Sequence, residues 1–282
     1  MLNSENLAHA VAVMARKLPP FPTIVIQLLD MLRNDSVTLE VLARMARNDP
    51  IISANILAQA NHMRRIHAQS DLTDAFVAAS IIGINRVRRI VVTTGMNRFV
   101  SSVPGGLFLF QHSVAVAIAA QELAEFSGES QDLAYISGML HDVGQLCLNM
   151  LDERAFEKVY MDASVDGKLM EREAAVFGVD HCAVGAQLAR YWNLPEQIYS
   201  AILNHHDEET VTCPLQAAIC LSETIVRALA LPASPKNRVT LINQHAVAEL
   251  GLDWSDPGMA DLFDRCVTRF RLAIQPQQAS HA

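Results

Sequence analysis

Six side chains in this sequence could share one piece of chemistry: His112, His141 with Asp142 directly after it, His181, and the pair His205-His206. Neutral imidazole nitrogens are good ligands for Zn, Fe, Mn, Co and Ni, and a carboxylate supplies compensating charge. A single histidine on an apolar helix face is ordinarily a core residue with one hydrogen bond. Five of the chain's ten histidines, set beside one aspartate, point instead to a shared polar site. Convergence between the helices of a bundle is a usual way to build a metal centre. His62 stays outside this set.

The elements that must position these residues read as helices. His112 lies four residues after Phe108 and four before Val116, on an apolar face. His141-Asp142 sits inside Gly138-Met-Leu-His-Asp-Val-Gly144, where Leu140 and Val143 mark the core face and the two glycines permit close backbone approach. His181 opens a helix with Val184, Leu188 and Trp192 inward. His205 continues the line from Ile198 to Ile202, and His206 lies four residues past Ile202.

Earlier in the chain, Ile24, Leu28, Leu29 and Leu32, then Leu39, Leu42, Ala43 and Ala46, recur at three- and four-residue steps. Asn34-Asp35-Ser36 separates the two runs. Asp49-Pro50 opens a helix with a buried stripe at Ile52, Ile56 and Ala60, proline being tolerated at the first helical position. A helix from Asp74 is interrupted by Gly83 and Asn85. The second half reads as helices over 108–126, 131–151, 170–176, 181–192, 195–206 and 215–229, then 239–250 and a last one from Asp256-Pro257. No strand alternation is visible. The expectation is an all-α, multi-helix bundle, in three stretches. Residues 1–104 form an N-terminal helical part, ending at Pro104-Gly105-Gly106. Residues 105–230 form the bundle carrying the histidines. Residues 231–282, beginning at Leu231-Pro-Ala-Ser-Pro, carry C-terminal helices and a polar tail.

Composition narrows the function. Hydrophobic residues make up 51% and charged residues 18% of the chain, enough for a sizeable core. The net charge of −8 argues against non-specific nucleic-acid binding, which needs cationic surface. Arg64/Arg65 and Arg86/Arg88/Arg89 read as solvated helix faces. Five scattered cysteines without a C-x-x-C pair suit reduced thiols. No apolar run is long enough to span a bilayer, and no signal-peptide pattern is visible, so the expected location is cytoplasmic.

The order His112, His141-Asp142, His181, His205-His206 resembles the HD superfamily of metal-dependent phosphohydrolases, with spacing closest to its HD-GYP and HDOD branches. Several stretches favour HDOD: Lys17-Leu-Pro-Pro-Phe-Pro22, the run from Asn48 to Asn61, Ala78-Ala-Ser-Ile-Ile-Gly83, the run from Phe177 through His181 to Ala186, and Trp192-Asn-Leu-Pro195. The resemblance implies an HD-like helical bundle acting as a signalling or output domain, often without activity. It implies a ligand set of His112, His141, Asp142, His181, His205 and His206.

Three departures stand against an intact hydrolase. Ser222 occupies the place of a later aspartate ligand, and Glu223 beside it, rotated by about 100° on a helix, is expected to face elsewhere. Gln145 stands where many active relatives carry lysine. The segment after His206 lacks a Gly-Tyr-Pro loop. With Asp142 as the one anionic ligand, two divalent ions would be under-compensated. One divalent ion (Fe, Mn, Zn, Co or Ni) on Asp142, His181, His205 and His206 fits better, leaving His112 and His141 to a weakened half-site or to supporting hydrogen bonds. An empty site is the alternative. The functional expectation is a regulatory protein with a degenerate site, working by binding to signalling partners. The alternative is a phosphohydrolase of nucleotides or phosphate esters, with Asp142 catalytic. A phosphate or nucleotide ligand, in the cleft between the halves, suits either. Nucleic acid and membrane are not expected partners.

Overall fold

Every regular element among the described residues is a helix, as expected from the sequence pattern. The structure is a computed structural model and describes residues 11–13, 15–16, 20–33, 38–101, 106–207, 209–232 and 242–278. Asn34-Asp35-Ser36, Pro104-Gly105 and Ala233-Ser-Pro235 lie outside these residues.

Residues 20–99 form one compact unit. It contains α1 (Thr23–Arg33), α2 (Leu39–Arg47), α3 (Pro50–Ile66), α4 (Ala75–Ile82) and most of α5 (Ile84–Ser101). Side-chain oxygens start the helices. Asp49 accepts from the N–H groups of Ile51 and Ile52 with Pro50 following it, and Asp74 accepts from those of Phe76 and Val77, satisfying donors that a helix start leaves open. Asp49 also pairs with Arg98, tying α3 to α5. Ile52, Ile56 and Ala60 form the buried stripe of α3. On α4 the core face falls on Ala78, Ala79 and Ile82, while Val77 and Ile81 are exposed. Gly83, at φ +80°, breaks α4 from α5, a backbone conformation that glycine adopts without strain.

The second unit comprises residues 100–282 with 1–19. Its helices are α6 (Gly106–Ser127), α7 (Gln131–Leu140), α8 (Val143–Leu151), α9 (Glu153–Asp166), α10 (Leu169–Phe177), α11 (His181–Tyr191), α12 (Glu196–Asn204), α13 (Pro214–Ala228), α14 (Gln244–Glu249) and α15 (Pro257–Gln278). Helix α6 is the hub, packed against α7, α13 and α15, while α11 packs on α8 and α12. Glu122 of α6 is buried and paired with Arg265 and Arg269 of α15, so the last helix is held by charge as well as apolar contact.

Two features differ from the sequence expectation. The single helix read over 131–151 is two helices, α7 and α8, meeting at His141-Asp142. Glycine causes this junction: a methyl group on Gly144 would lie 2.0 Å from the carbonyl oxygen of His181, and one on Gly138 would lie 2.6 Å from the Cα of Ala117. The chain turns where α8 presses on α11 and α7 on α6. Helix α9 was not anticipated at all. Its cues are Asp152, which accepts from the N–H of Ala155, and Gly167 in the left-handed region at its end, an N-cap and C′ glycine pattern.

Candidate metal centre

The five sequence-distant histidines of the expected set meet around Asp142. His112 comes from the middle of α6. His141 caps the C-terminus of α7, and Asp142 precedes α8 without making a side-chain capping bond, so its carboxylate is free to turn inward. His181 begins α11 after Asp180, which accepts from the N–H of Ala183. His205 and His206 follow the end of α12. His112, His141, His181 and His205 are all buried, and so is Asp142.

The orientation of the rings is specific. In each of these four histidines Nδ1 faces an acceptor: Pro232 O at 2.7 Å for His112, Gly138 O at 2.8 Å for His141, Glu173 Oε2 at 2.6 Å for His181 and Ile202 O at 2.7 Å for His205. A carbonyl oxygen can only accept, so Nδ1 of His112, His141 and His205 carries the proton. Nε2 of all four faces Asp142. His112 and His141 Nε2 lie 3.5 and 3.3 Å from Oδ2, and His181 and His205 Nε2 lie 3.3 and 3.6 Å from Oδ1. His141 Nε2, His205 Nε2 and Asp142 Oδ1 are buried without a well-aligned hydrogen-bond partner. Buried polar atoms are rarely left in that state. Nδ1 groups anchored outward with Nε2 atoms converging on a carboxylate suit a divalent cation. The donors sort into two groups, His112, His141, Asp142 and Glu223 on one side and His181, Cys182, His205 and His206 on the other.

Glu223 corrects the sequence expectation. It does not face elsewhere: its Oε1 lies 2.7 Å from His112 Nε2 and 2.8 Å from His141 Nε2, and its Oε2 lies 2.8 Å from Arg227. The 100° argument presumes that only one helix face is inward. Helix α13 is buried at eleven positions between Leu215 and Val226, so consecutive residues can both point into the protein. Ser222 is buried too, but its hydroxyl donates to the Ala218 carbonyl oxygen of its own helix. The cluster therefore has two carboxylates, and the charge argument against a second cation loses its premise.

Two further residues join the cluster without a periodic signal in the sequence pattern. Glu173 of α10 is fully buried and accepts from both the backbone N–H and Nδ1 of His181. Its signal was an acid inside Met170–Val176, a stretch too short for periodicity to orient. Cys182, one of the scattered thiols, places its Sγ 3.5 Å from His181 Nε2 and 3.8 Å from His205 Nδ1.

The titratable groups of the cluster shift one another strongly. Burial works against the imidazolium of His141, but the Asp142 and Glu223 carboxylates outweigh it and raise its pKa to about 10. Burial likewise opposes His205, and Cys182 and Asp142 bring it up to about 9. Burial and the charges of His205 and His181 push His206 well below the ordinary histidine value. Burial would raise Glu223, but His112 and Arg227 hold it well below the usual carboxylate range. Beside the cluster lies a cavity of about 480 Å³ whose lining includes His112, Asp142, Gln145, His206, Glu223 and Arg227. Residues of the second unit alone build it.

The comparisons with known proteins agree with this architecture. The HDOD domain model matches residues 18–208, and the chain belongs to the HDOD family. It is similar to an HDOD domain protein from Geobacter sulfurreducens, with a TM-score of 0.76 and 23% identity over 94% of this chain and 97% of that one. A protein of Marinobacter aquaeolei VT8, described as a candidate signal transduction protein, gives a TM-score of 0.73 at 20% identity, covering 92% of this chain and 58% of the other. Among curated proteins, an uncharacterized protein of Treponema pallidum is 22% identical over 206 residues, 72% of this chain and 40% of its own length. Ribonuclease Y of Aquifex aeolicus is 29% identical over 114 residues, 40% of this chain and 16% of its own. The chain thus spans less than half the length of these two curated relatives. No helix among the described residues is long and apolar enough to cross a membrane.

Proposed function

We propose that this protein is a regulatory HDOD module whose two donor groups around Asp142 would each hold a divalent cation, and whose adjoining cavity binds an anionic ligand as the signal it relays to a protein partner. The observation that carries the metal reading is the common orientation of His112, His141, His181 and His205, with Nδ1 anchored and Nε2 turned to opposite oxygens of one carboxylate. Glu223 supplies the second anionic donor. When bound, the cations would present fixed positive charge and Lewis acidity at the cavity wall.

Binding is favoured over turnover by the cavity's charge. Phosphoryl transfer needs cationic groups around the reacting phosphate. Among the described lining residues Arg227 is the one lysine or arginine, and it is engaged by Glu223. Gln145 is buried there with an uncommitted Oε1, a neutral amide that can hydrogen-bond an anion but cannot neutralise the charge that builds in a phosphoryl-transfer transition state. A second reading, a metal-dependent phosphodiesterase, is supported by Glu223 completing a two-carboxylate set and by the similarity to ribonuclease Y.

The test is metal content and turnover together. Protein purified without chelator should carry close to two transition-metal ions per chain, and Asp142→Ala should lose both. Incubation with p-nitrophenyl phosphate, nucleotides and RNA should release no product. A metal-free chain that takes up no Mn²⁺, Fe²⁺, Co²⁺, Ni²⁺ or Zn²⁺ refutes the metal reading. Product release abolished by Asp142→Ala establishes the phosphodiesterase instead.

A further inference from the structure

We propose that Cys182 is a thiolate ligand of the half-site formed by His181, His205 and His206, and that this half-site takes a soft or borderline cation such as Zn²⁺ or Fe²⁺ in preference to Mg²⁺ or Mn²⁺. The inference rests on the reading that the cluster holds metal, and it deepens that reading by adding a sulfur donor.

The geometry fits a tetrahedral edge. Zinc bonds thiolate sulfur at about 2.3 Å and imidazole nitrogen at about 2.0–2.1 Å, so two such donors at a tetrahedral angle stand about 3.6 Å apart. Cys182 Sγ and His181 Nε2 are 3.5 Å apart. One donor atom from each of His181, Cys182, His205 and His206 lies within 4.8 Å of the others. Cys182 is 1% exposed, so its sulfur is turned into the cluster rather than to solvent. An independent observation marks the same spot as a binding point. The His205 ring stands beside the sulfur, with Nδ1 3.8 Å from Cys182 Sγ, and its Nε2, on the side facing Asp142, is buried with no hydrogen-bond partner.

Charge and donor softness point the same way. Two divalent cations bring four positive charges against the two carboxylates among the direct donors, Asp142 and Glu223, and a thiolate adds a third anionic donor, to the half whose other donors are imidazoles. The half-site containing Glu223 offers two imidazoles and two carboxylates, whereas this one offers three imidazoles and a sulfur. Thiolate ligands select Zn²⁺, Fe²⁺ and Co²⁺ over the oxygen-loving Mg²⁺ and Mn²⁺. The two halves are therefore chemically unequal, and the sulfur-bearing half binds its ion more tightly.

Cobalt distinguishes the possibilities. The full chain is stripped with chelator and titrated with Co²⁺ while its spectrum is followed. Visible d–d bands report bound cobalt, and a near-ultraviolet charge-transfer band reports a sulfur–cobalt bond. The wild-type chain is expected to develop both. Cys182→Ala should keep the visible bands and lose the near-ultraviolet one. Its Zn²⁺ affinity, measured against a chromophoric chelator, should fall at least ~10-fold, the lower end of what removing a supporting partner of a ligand costs. Visible bands without the charge-transfer band in the wild type overturn the role of Cys182 and leave the metal reading intact. So does a band that survives in Cys182→Ala. A wild-type chain that binds no cobalt overturns both. If Cys182→Ala folds poorly, Cys182→Ser supplies the same comparison, since its hydroxyl gives no sulfur–cobalt band.

Discussion

Glu223→Gln removes one charge from the cluster while keeping the shape of the side chain, and the structure sets the size of the effect. The carboxylate lies within 2.8 Å of His112, His141 and Arg227 and is 4% exposed. Removing one partner of a buried pair costs ~3–5 kcal/mol. Two features reduce this: Arg227 is partly exposed and recovers solvation, and His141 retains Asp142. The expected loss is ~2–3 kcal/mol in metal-free protein. At ~2–4 °C per kcal/mol for a unit of this size, that is a fall in Tm of ~4–12 °C. The pH dependence follows from the two shifts. Glu223 is held below its ordinary pKa, so its contribution is present above ~4.3 and lost on acidification through its folded value. His141 is raised to about 10, so its contribution is complete below ~6.5 and lost as pH rises through about 10. Wild type and variant should therefore differ most near pH 6 and less at pH 9.5. The assay is thermal unfolding followed by circular dichroism after chelator treatment, at both pH values. Because the chain has two compact units, two transitions can appear, and the shift belongs to the one carrying the cluster. A change below ~2 °C at pH 6, or a larger change at pH 9.5, refutes the reasoning.

Three further outcomes are expected. Metal binding should release protons at pH 7, because His141 and His205, with pKa values of about 10 and about 9, must surrender theirs. Affinity should then rise from pH 6 to 9, and calorimetry in buffers of different ionisation enthalpy counts the protons, zero release contradicting it. Glu173→Ala should weaken metal binding ~10–100-fold by freeing the His181 ring, measured by chelator competition, and unchanged affinity would refute its positioning role. Gly144→Ala must push α8 off the His181 carbonyl, lowering stability by at least ~1–3 kcal/mol, and chemical denaturation showing no loss would contradict the close contact.

Much of this centre was legible in the sequence because histidines on apolar helix faces are conspicuous. Ile198, Ile202 and His205 announce an inward line, and the glycines flanking His141-Asp142 announce a close crossing. What escaped was anything that depends on how fully a helix is enclosed. The rule that turns Glu223 outward presumes one enclosed face, and α13 is buried at consecutive positions through Glu223. Helix α9 escaped because its apolar face, Phe156, Val159 and Ala163, is sparse and interleaved with charge. Glu173 and Cys182 became visible only once α10 and α11 were placed beside Asp142, since an acid in a short helix and a lone thiol carry no periodic signal.

The seam at Gly144 has a consequence for tolerance to change. There main chain rests on main chain, with the would-be methyl positions of Gly144 falling on His181 O and Gly185 N. The span between the Asp142 carboxylate and the His181 ring is thus gauged by peptide groups, whose dimensions no mutation alters. Apolar residues elsewhere in the bundle can exchange bulk for bulk while that span stays fixed, so the cluster's dimensions are insulated from drift in the core around it.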